Sequence, residues 1–178
     1  NNNTAATQFN WTYDGTVPTV SSVTSTTANG SYNADDVIAI TVTFSEAVYN
    51  ASGGSGALET SDFAFSISGG AASLSSTTPS SISVSGNVYT LGIPLSGTAN
   101  GNETLTINPV DDSIYDATGN EASTSQSNNT VTLNNQRITM AITAVNGSSS
   151  AVSDGSTTND ATLTVTFTSS AATTNFAV

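Results

Sequence analysis

The sequence predicts an all-β protein of antiparallel sheets, and three observations carry that prediction. Apolar residues alternate with threonine and serine at period two. No segment carries an apolar stripe at helical spacing, and Gly, Asn, Ser and Pro cluster between the alternating runs. The first run, residues 19–25, is a short stretch of Val, Thr and Ser. Residues 37–44 place Ile38, Ile40, Val42 and Phe44 on one face and Thr41 and Thr43 on the other, the pattern of a strand with one dry and one wet side. Residues 63–68 repeat it with Phe63, Phe65 and Ile67. Residues 72–76 and 81–85 are small and serine-rich. Tyr89, Leu91 and Ile93 alternate in 88–94, Leu105 and Ile107 in 103–108, and Val131 and Leu133 close a strand expected over 124–133. The four prolines, 18, 79, 94 and 109, all fall near a predicted strand end, where a missing N–H does least harm.

Seven or eight short strands over about 120 residues have the size and rhythm of one immunoglobulin-like antiparallel β-sandwich. An internal repeat organises the remainder. Asn29-Gly30-Ser31 followed by Ile38-Ala39-Ile40-Thr41-Val42-Thr43-Phe44-Ser45 recurs as Asp154-Gly155-Ser156 followed by Ala161-Thr162-Leu163-Thr164-Val165-Thr166-Phe167-Thr168. The run from Gly119 to Leu133 is similar to the run from Asn1 to Tyr13. Residues 1–14 therefore read as the last strand of a preceding domain (or a donated strand), 15–136 as a complete domain, and 137–178 as the first strands of a following one. Phe9, Trp11 and Tyr13 share one face of a strand with no sheet of its own. Ile138, Met140, Ile142, Leu163, Val165 and Phe167 amount to about half a core. Such ends are completed in a tandem array, by neighbouring repeats of the same protein, or by strand exchange between identical subunits.

Composition narrows the chemistry. There are 13 Asp and Glu against a single basic residue, Arg137, for a net charge of −12, and Cys, His and Lys are absent. Without them no Ser-His-Asp or Cys-His nucleophile, Schiff-base lysine or P-loop lysine can be built, and the expectation is that the chain is not an enzyme. Zinc loses its usual ligands. The acidic balance argues against nucleic acid and anionic membrane surfaces. No apolar run is long enough to insert in a membrane as a helix, and no signal-peptide pattern opens the chain, which reads as a mature or excised segment. What remains is an oxygen-rich ligand set suited to calcium.

The residues also bear a family likeness. Thr16-Val17-Pro18-Thr19-Val20, Thr26-Thr27-Ala28-Asn29-Gly30-Ser31-Tyr32, Thr43-Phe44-Ser45-Glu46-Ala47-Val48 and Asp116-Ala117-Thr118-Gly119-Asn120 together resemble bacterial immunoglobulin-like repeat domains of large secreted adhesins and surface proteins. The likeness covers nearly the whole chain. It implies an extracellular or cell-surface setting and a role as a spacer, stalk or fibre unit.

Strand directions locate a candidate site. The loop after Phe44, the connection 109–121 and the entering segment at Asp14 fall at one pole, so Asp14, Glu46, Asp111, Asp112, Asp116 and Asn120 are expected to converge there as calcium ligands. Crowded carboxylates without a cation would repel one another. The competing reading is that Asp and Asn merely cap turns through their own side chains. A second pole gathers Asp35, Asp36, Asn100, Asn102 and Glu103 near Arg137, which could pair with Asp36 or Glu103. Paired carboxylates also serve glycoside hydrolysis, but few aromatics are present to line a sugar cleft. Trp11, the single tryptophan, fits a neighbouring core better than a glycan platform. A carbohydrate-binding accessory domain, with a host or surface glycan as ligand, is therefore the third reading after a stalk and a strand-exchanged filament. Seven Asn-x-Ser/Thr sequons are present, about what the composition produces by chance.

Overall fold

The computed structural model describes residues 7–27, 32, 36–135 and 139–170. The chain is all-β, and no α-helix occurs among the described residues. It divides into two compact units, Asn1–Asn135 and Gln136–Val178.

The first unit contains β1 (Val20–Ser25), β2 (Val37–Phe44), β3 (Phe63–Ser68), β4 (Ser73–Leu74), β5 (Ser81–Ser85), β6 (Val88–Ser96), β7 (Thr104–Pro109) and β8 (Thr130–Thr132). One antiparallel sheet runs β1-β2-β6, with β4 and β5 both paired to β6, and a second runs β3-β7-β8. The residues whose alternation predicts the strands meet in register: Ile38 faces Ile93, Ile40 faces Leu91, and Val42 faces Tyr89. In the second sheet Phe65 faces Ile107 and Ile67 faces Leu105. A single hydrophobic cluster draws on both sheets. At its centre Phe44, Phe63 and Tyr89 form a triangle, with ring centroids 6.3 Å apart for Phe44–Phe63, 5.7 Å for Phe44–Tyr89 and 6.2 Å for Phe63–Tyr89. These are edge-to-face and tilted contacts that aromatic quadrupoles favour.

Glu103 is the unexpected member of this interior, at 0 % exposure. Its carboxylate accepts amide N–H groups from Ala71 (2.7 Å), Ala72 (3.1 Å), Asn100 (2.9 Å) and Gly101 (2.9 Å), tying the loop after β3 to the loop after β6. Gly70 has a φ of +64°, and a Cβ there would run into the same carboxylate, so only glycine lets the backbone close over it. Burial pushes the carboxyl pKa up, but the amides of Asn100, Ala72 and Ala71 outweigh burial and hold it at about 2, against 4.5 ordinarily. At the expected second acidic pole, Glu103 is thus a structural anion solvated by backbone. Asp35 and Arg137 lie outside the described residues.

Two strand expectations need correction. The strand expected over 124–133 is confined to Thr130–Thr132. Upstream of it, side chains capture the backbone: Ser123 Oγ accepts the Ser125 amide at 3.1 Å, Gln126 Nε2 donates to the Ser123 carbonyl at 2.7 Å, and Gln126 Oε1 accepts the Val20 amide at 2.8 Å. Local bonds of this kind compete with a ladder. The strand expected over 72–76 shrinks to Ser73–Leu74. Residues 7–19 carry no strand, and Phe9, Trp11 and Tyr13 stand 87 %, 73 % and 82 % exposed.

The second unit is a three-stranded antiparallel sheet, β10 (Ala151–Val152), β9 (Met140–Asn146) and β11 (Leu163–Ser169), in that order. Its register pairs Ile142 with Phe167 and Ala144 with Val165. Met140, Ile142, Ala144, Leu163, Val165 and Phe167 therefore share one face, and Thr164, Thr166 and Thr168 the other. None of its described residues is buried.

Glu103→Gln tests the buried anion. With a folded pKa of about 2 against 4.5, the unfolded chain binds the proton first as pH falls. The stabilisation is complete above pH 4.5 and lost on approach to pH 2, and amounts to about 3 kcal/mol. Denaturant unfolding should show the variant about 2–4 kcal/mol less stable at pH 7. That gap should close toward pH 2, and a gap independent of pH would contradict the assignment.

Candidate metal site

Three sets of hydrogen bonds bring acidic residues to one end of the first unit. Asp14 sits in the entering segment, where its Oδ1 accepts the Thr16 amide at 3.0 Å and bends the chain toward the buried Pro18. Glu46 follows β2 by two residues. Its loop is pinned to the entering segment by the Ser45 amide on the Thr19 carbonyl (2.8 Å) and the Thr19 amide on Ser45 Oγ (3.0 Å). Asp116 belongs to the connection after β7, which is held by paired Tyr49–Tyr115 backbone bonds of 2.8 Å each.

The turn that follows is organised by the Asp116 side chain. Its Oδ1 accepts the amides of Thr118 and Asn120, both at 2.8 Å, and its Oδ2 accepts Asn120 Nδ2 at 2.8 Å. Thr118 Oγ1 donates to the same carboxylate at 3.0–3.1 Å. Gly119, at φ +96°, closes the turn; a Cβ there would lie 2.6 Å from the Ser52 carbonyl oxygen. Asp116 is 1 % exposed. Burial pushes its pKa up, yet the bonds from Asn120 and Thr118 prevail and hold it at about 2.

Carboxylate oxygens of Asp14, Glu46 and Asp116 lie within 4.8 Å of one another. Asn120 enters as a donor, bridging the cluster with Nδ2 to the Asp14 carbonyl at 3.0 Å as well as to Asp116. Asp111 and Asp112 are exposed and outside this group. Asp112 adopts φ +56° in a separate turn, where its amide donates to Glu121 Oε1 at 2.7 Å. Of the six expected ligands the structure thus gathers three carboxylates and one amide. Glu46 shows the cost of gathering: burial first, then the charges of Asp116 and Asp14, raise its pKa. An all-oxygen cluster of this kind suits a hard divalent cation, with water or main-chain oxygen completing the shell.

Thr118 and the Tyr49–Tyr115 pairing are absent from the expectation drawn from sequence. An Asp-x-Thr spacing is a legible signal for the first, since Asp readily bonds the amide two residues on. Nothing local announces the second. Comparison of the chain with protein-family models, curated proteins and solved structures returns no match.

Asn120→Asp and Asn120→Ala separate geometry from charge. Both remove the bridging donor, but the aspartate adds a fourth carboxylate. In chelator and low salt Asn120→Asp should therefore melt lower than Asn120→Ala, with the difference shrinking in 1 M salt as screening shortens to about 3 Å. Equal melting of the two variants would contradict an electrostatically loaded cluster.

Proposed function

We propose that this chain is a structural repeat segment of an extracellular bacterial adhesin stalk or surface fibre. In this reading the first unit is an immunoglobulin-like β-sandwich in a tandem array. Calcium, held by Asp14, Glu46 and Asp116 with Asn120 bracing them, stiffens the point where the chain enters the domain. Its partners are neighbouring repeats of the same protein.

One observation carries this reading: the approach of the Asp14, Glu46 and Asp116 carboxylates within 4.8 Å, with no cationic side chain among the described residues. Two of these residues come from loops of one folded unit and the third from the segment that leads into it. A cation bound among them would fix the direction of that segment, which is what a stalk requires of its hinges. The Ser- and Thr-rich outward faces, such as Thr164, Thr166 and Thr168, suit a solvated spacer.

A melting experiment tests the ion and the residue together. Wild type should melt higher in millimolar calcium than in chelator. Glu46→Gln removes a carboxylate whose ionised form is disfavoured in the fold. A raised folded pKa means stability is lost as pH rises past 4.5, so in chelator at pH 7 the variant should melt at or above wild type. In calcium it should melt below wild type, because a ligand is gone. Identical wild-type melting in calcium and chelator would sink the calcium reading.

A further inference from the structure

Asparagine followed by glycine can lose ammonia without a catalyst, because glycine has no Cβ to keep its amide nitrogen away from the neighbouring side-chain carbonyl. The sequence holds three such pairs, Asn29-Gly30, Asn100-Gly101 and Asn146-Gly147. The first lies outside the described residues. The other two are held by opposite arrangements of hydrogen bonds.

Asn146 ends β9 and begins the turn to β10. Its side-chain oxygen, Oδ1, accepts the amides of Ser148 at 3.0 Å and Ser150 at 2.9 Å. The main chain fastens the same turn, with the Ser149 amide on the Asn146 carbonyl and the Asn146 amide on the Ser150 carbonyl, both at 2.9 Å. The ring closed by the Ser148 bond contains both Cγ of Asn146 and the nitrogen of Gly147, which keeps the carbonyl carbon and its nucleophile on one turn. Gly147 is exposed, and its amide makes no hydrogen bond among the described residues, so its proton is open to solvent. When that nitrogen adds to Cγ, negative charge develops on Oδ1, where two amide donors already point. That is the arrangement of an oxyanion hole. At Asn100 it is the nucleophile that is tied up. The Gly101 amide donates to Oε2 of the buried Glu103 at 2.9 Å. Removing its proton would set an amide anion against a buried carboxylate, which like charges at short range strongly disfavour. Asn100 Oδ1 accepts only the Asn102 amide, at 3.1 Å.

We propose that Asn146 is a self-modification site, at which the folded turn converts asparagine to aspartate and isoaspartate while Asn100 is preserved. The Gly147 amide gives its proton to water or hydroxide and its nitrogen bonds to Cγ. The bond from Cγ to the side-chain nitrogen then breaks, and ammonia leaves. Water opens the resulting cyclic imide at either carbonyl, giving aspartate or, with the main chain rerouted through Cβ, isoaspartate. Nothing is oxidised or reduced. Either product adds a negative charge to a turn beside Asp160, whose Oδ1 lies 4.0 Å from where a Cβ on Gly147 would stand. The isoaspartate also lengthens the backbone where Asn146 pairs with Leu163. The second unit thus loosens with age at this end. The assignment stands apart from the calcium and repeat readings.

Incubating the full chain in mildly alkaline buffer, then mapping its peptides by a method that resolves aspartate from isoaspartate, tests this. In the folded chain Asn146 should convert about tenfold faster than Asn100, or more. It should also convert faster there than in a peptide of residues 143–151, whereas Asn100 should convert more slowly than in a peptide of residues 97–105. Gly147→Ala should suppress conversion at Asn146. Its Cβ would meet only Asp160 Oδ1, at 4.0 Å, so the turn is kept while the attack is hindered. A rate at Asn146 no greater than at Asn100 overturns the proposal. So does an Asn146 that is slower in the folded chain than in its peptide, because the two donors then pin the side chain instead of activating it. Unaltered conversion in Gly147→Ala overturns it too, since the attacking group is then not this nitrogen.

Discussion

None of the described residues is basic, so the buried carboxylates of the first unit are stabilised by other donors, and much of the unit follows from how that is done. Backbone amides and short side-chain donors take the place of Lys and Arg. Glu103 draws the amides of two loops onto one carboxylate, and Asp116 draws Thr118 and Asn120 onto another. A carboxylate given several such donors stays ionised far below its usual range. Both therefore act as hubs around which the connections are wound. Asp62 shows the partial case: it accepts the Glu59 amide at 2.7 Å, but burial dominates and its pKa is raised.

The same rule explains why the cluster at Asp14, Glu46 and Asp116 differs in kind. Asp116 has used the nearby donors, and burial together with two negative neighbours disfavours the charge of Glu46. No described residue supplies a cation at this pole, which is why the proposed function draws one from solution. Position matters as much as charge, because Asp14 belongs to the segment entering the unit and is already joined to Asn120. In the proposed stalk, a cation bound at that point would stiffen the hinge, where a spacer gains or loses reach.

The strands were readable because period-two alternation with threonine on the wet face leaves few other conformations for runs such as Val37–Phe44. Reading failed where side chains compete with the ladder. Ser123, Gln126 and Asn129 bond to local or distant partners, and the expected long strand becomes three residues. For the site, tracing strand directions was enough to bring Asp14, Glu46 and Asp116 to one pole. It could not show that Asp112 turns away at positive φ. The backbone solvation of Glu103 was not legible, because the amides come from loops about thirty residues apart in sequence, at Ala71 and Asn100.

Carboxyl titration by carbon-13 NMR, with and without calcium, addresses the central claim most directly, because it reads each charge in place. Without divalent cations, Glu103 and Asp116 should titrate near 2 and Glu46 above its ordinary 4.5. Adding calcium should drive the Glu46 titration below the ordinary value while leaving Glu103 unmoved. A Glu46 that titrates normally and ignores calcium would contradict the account.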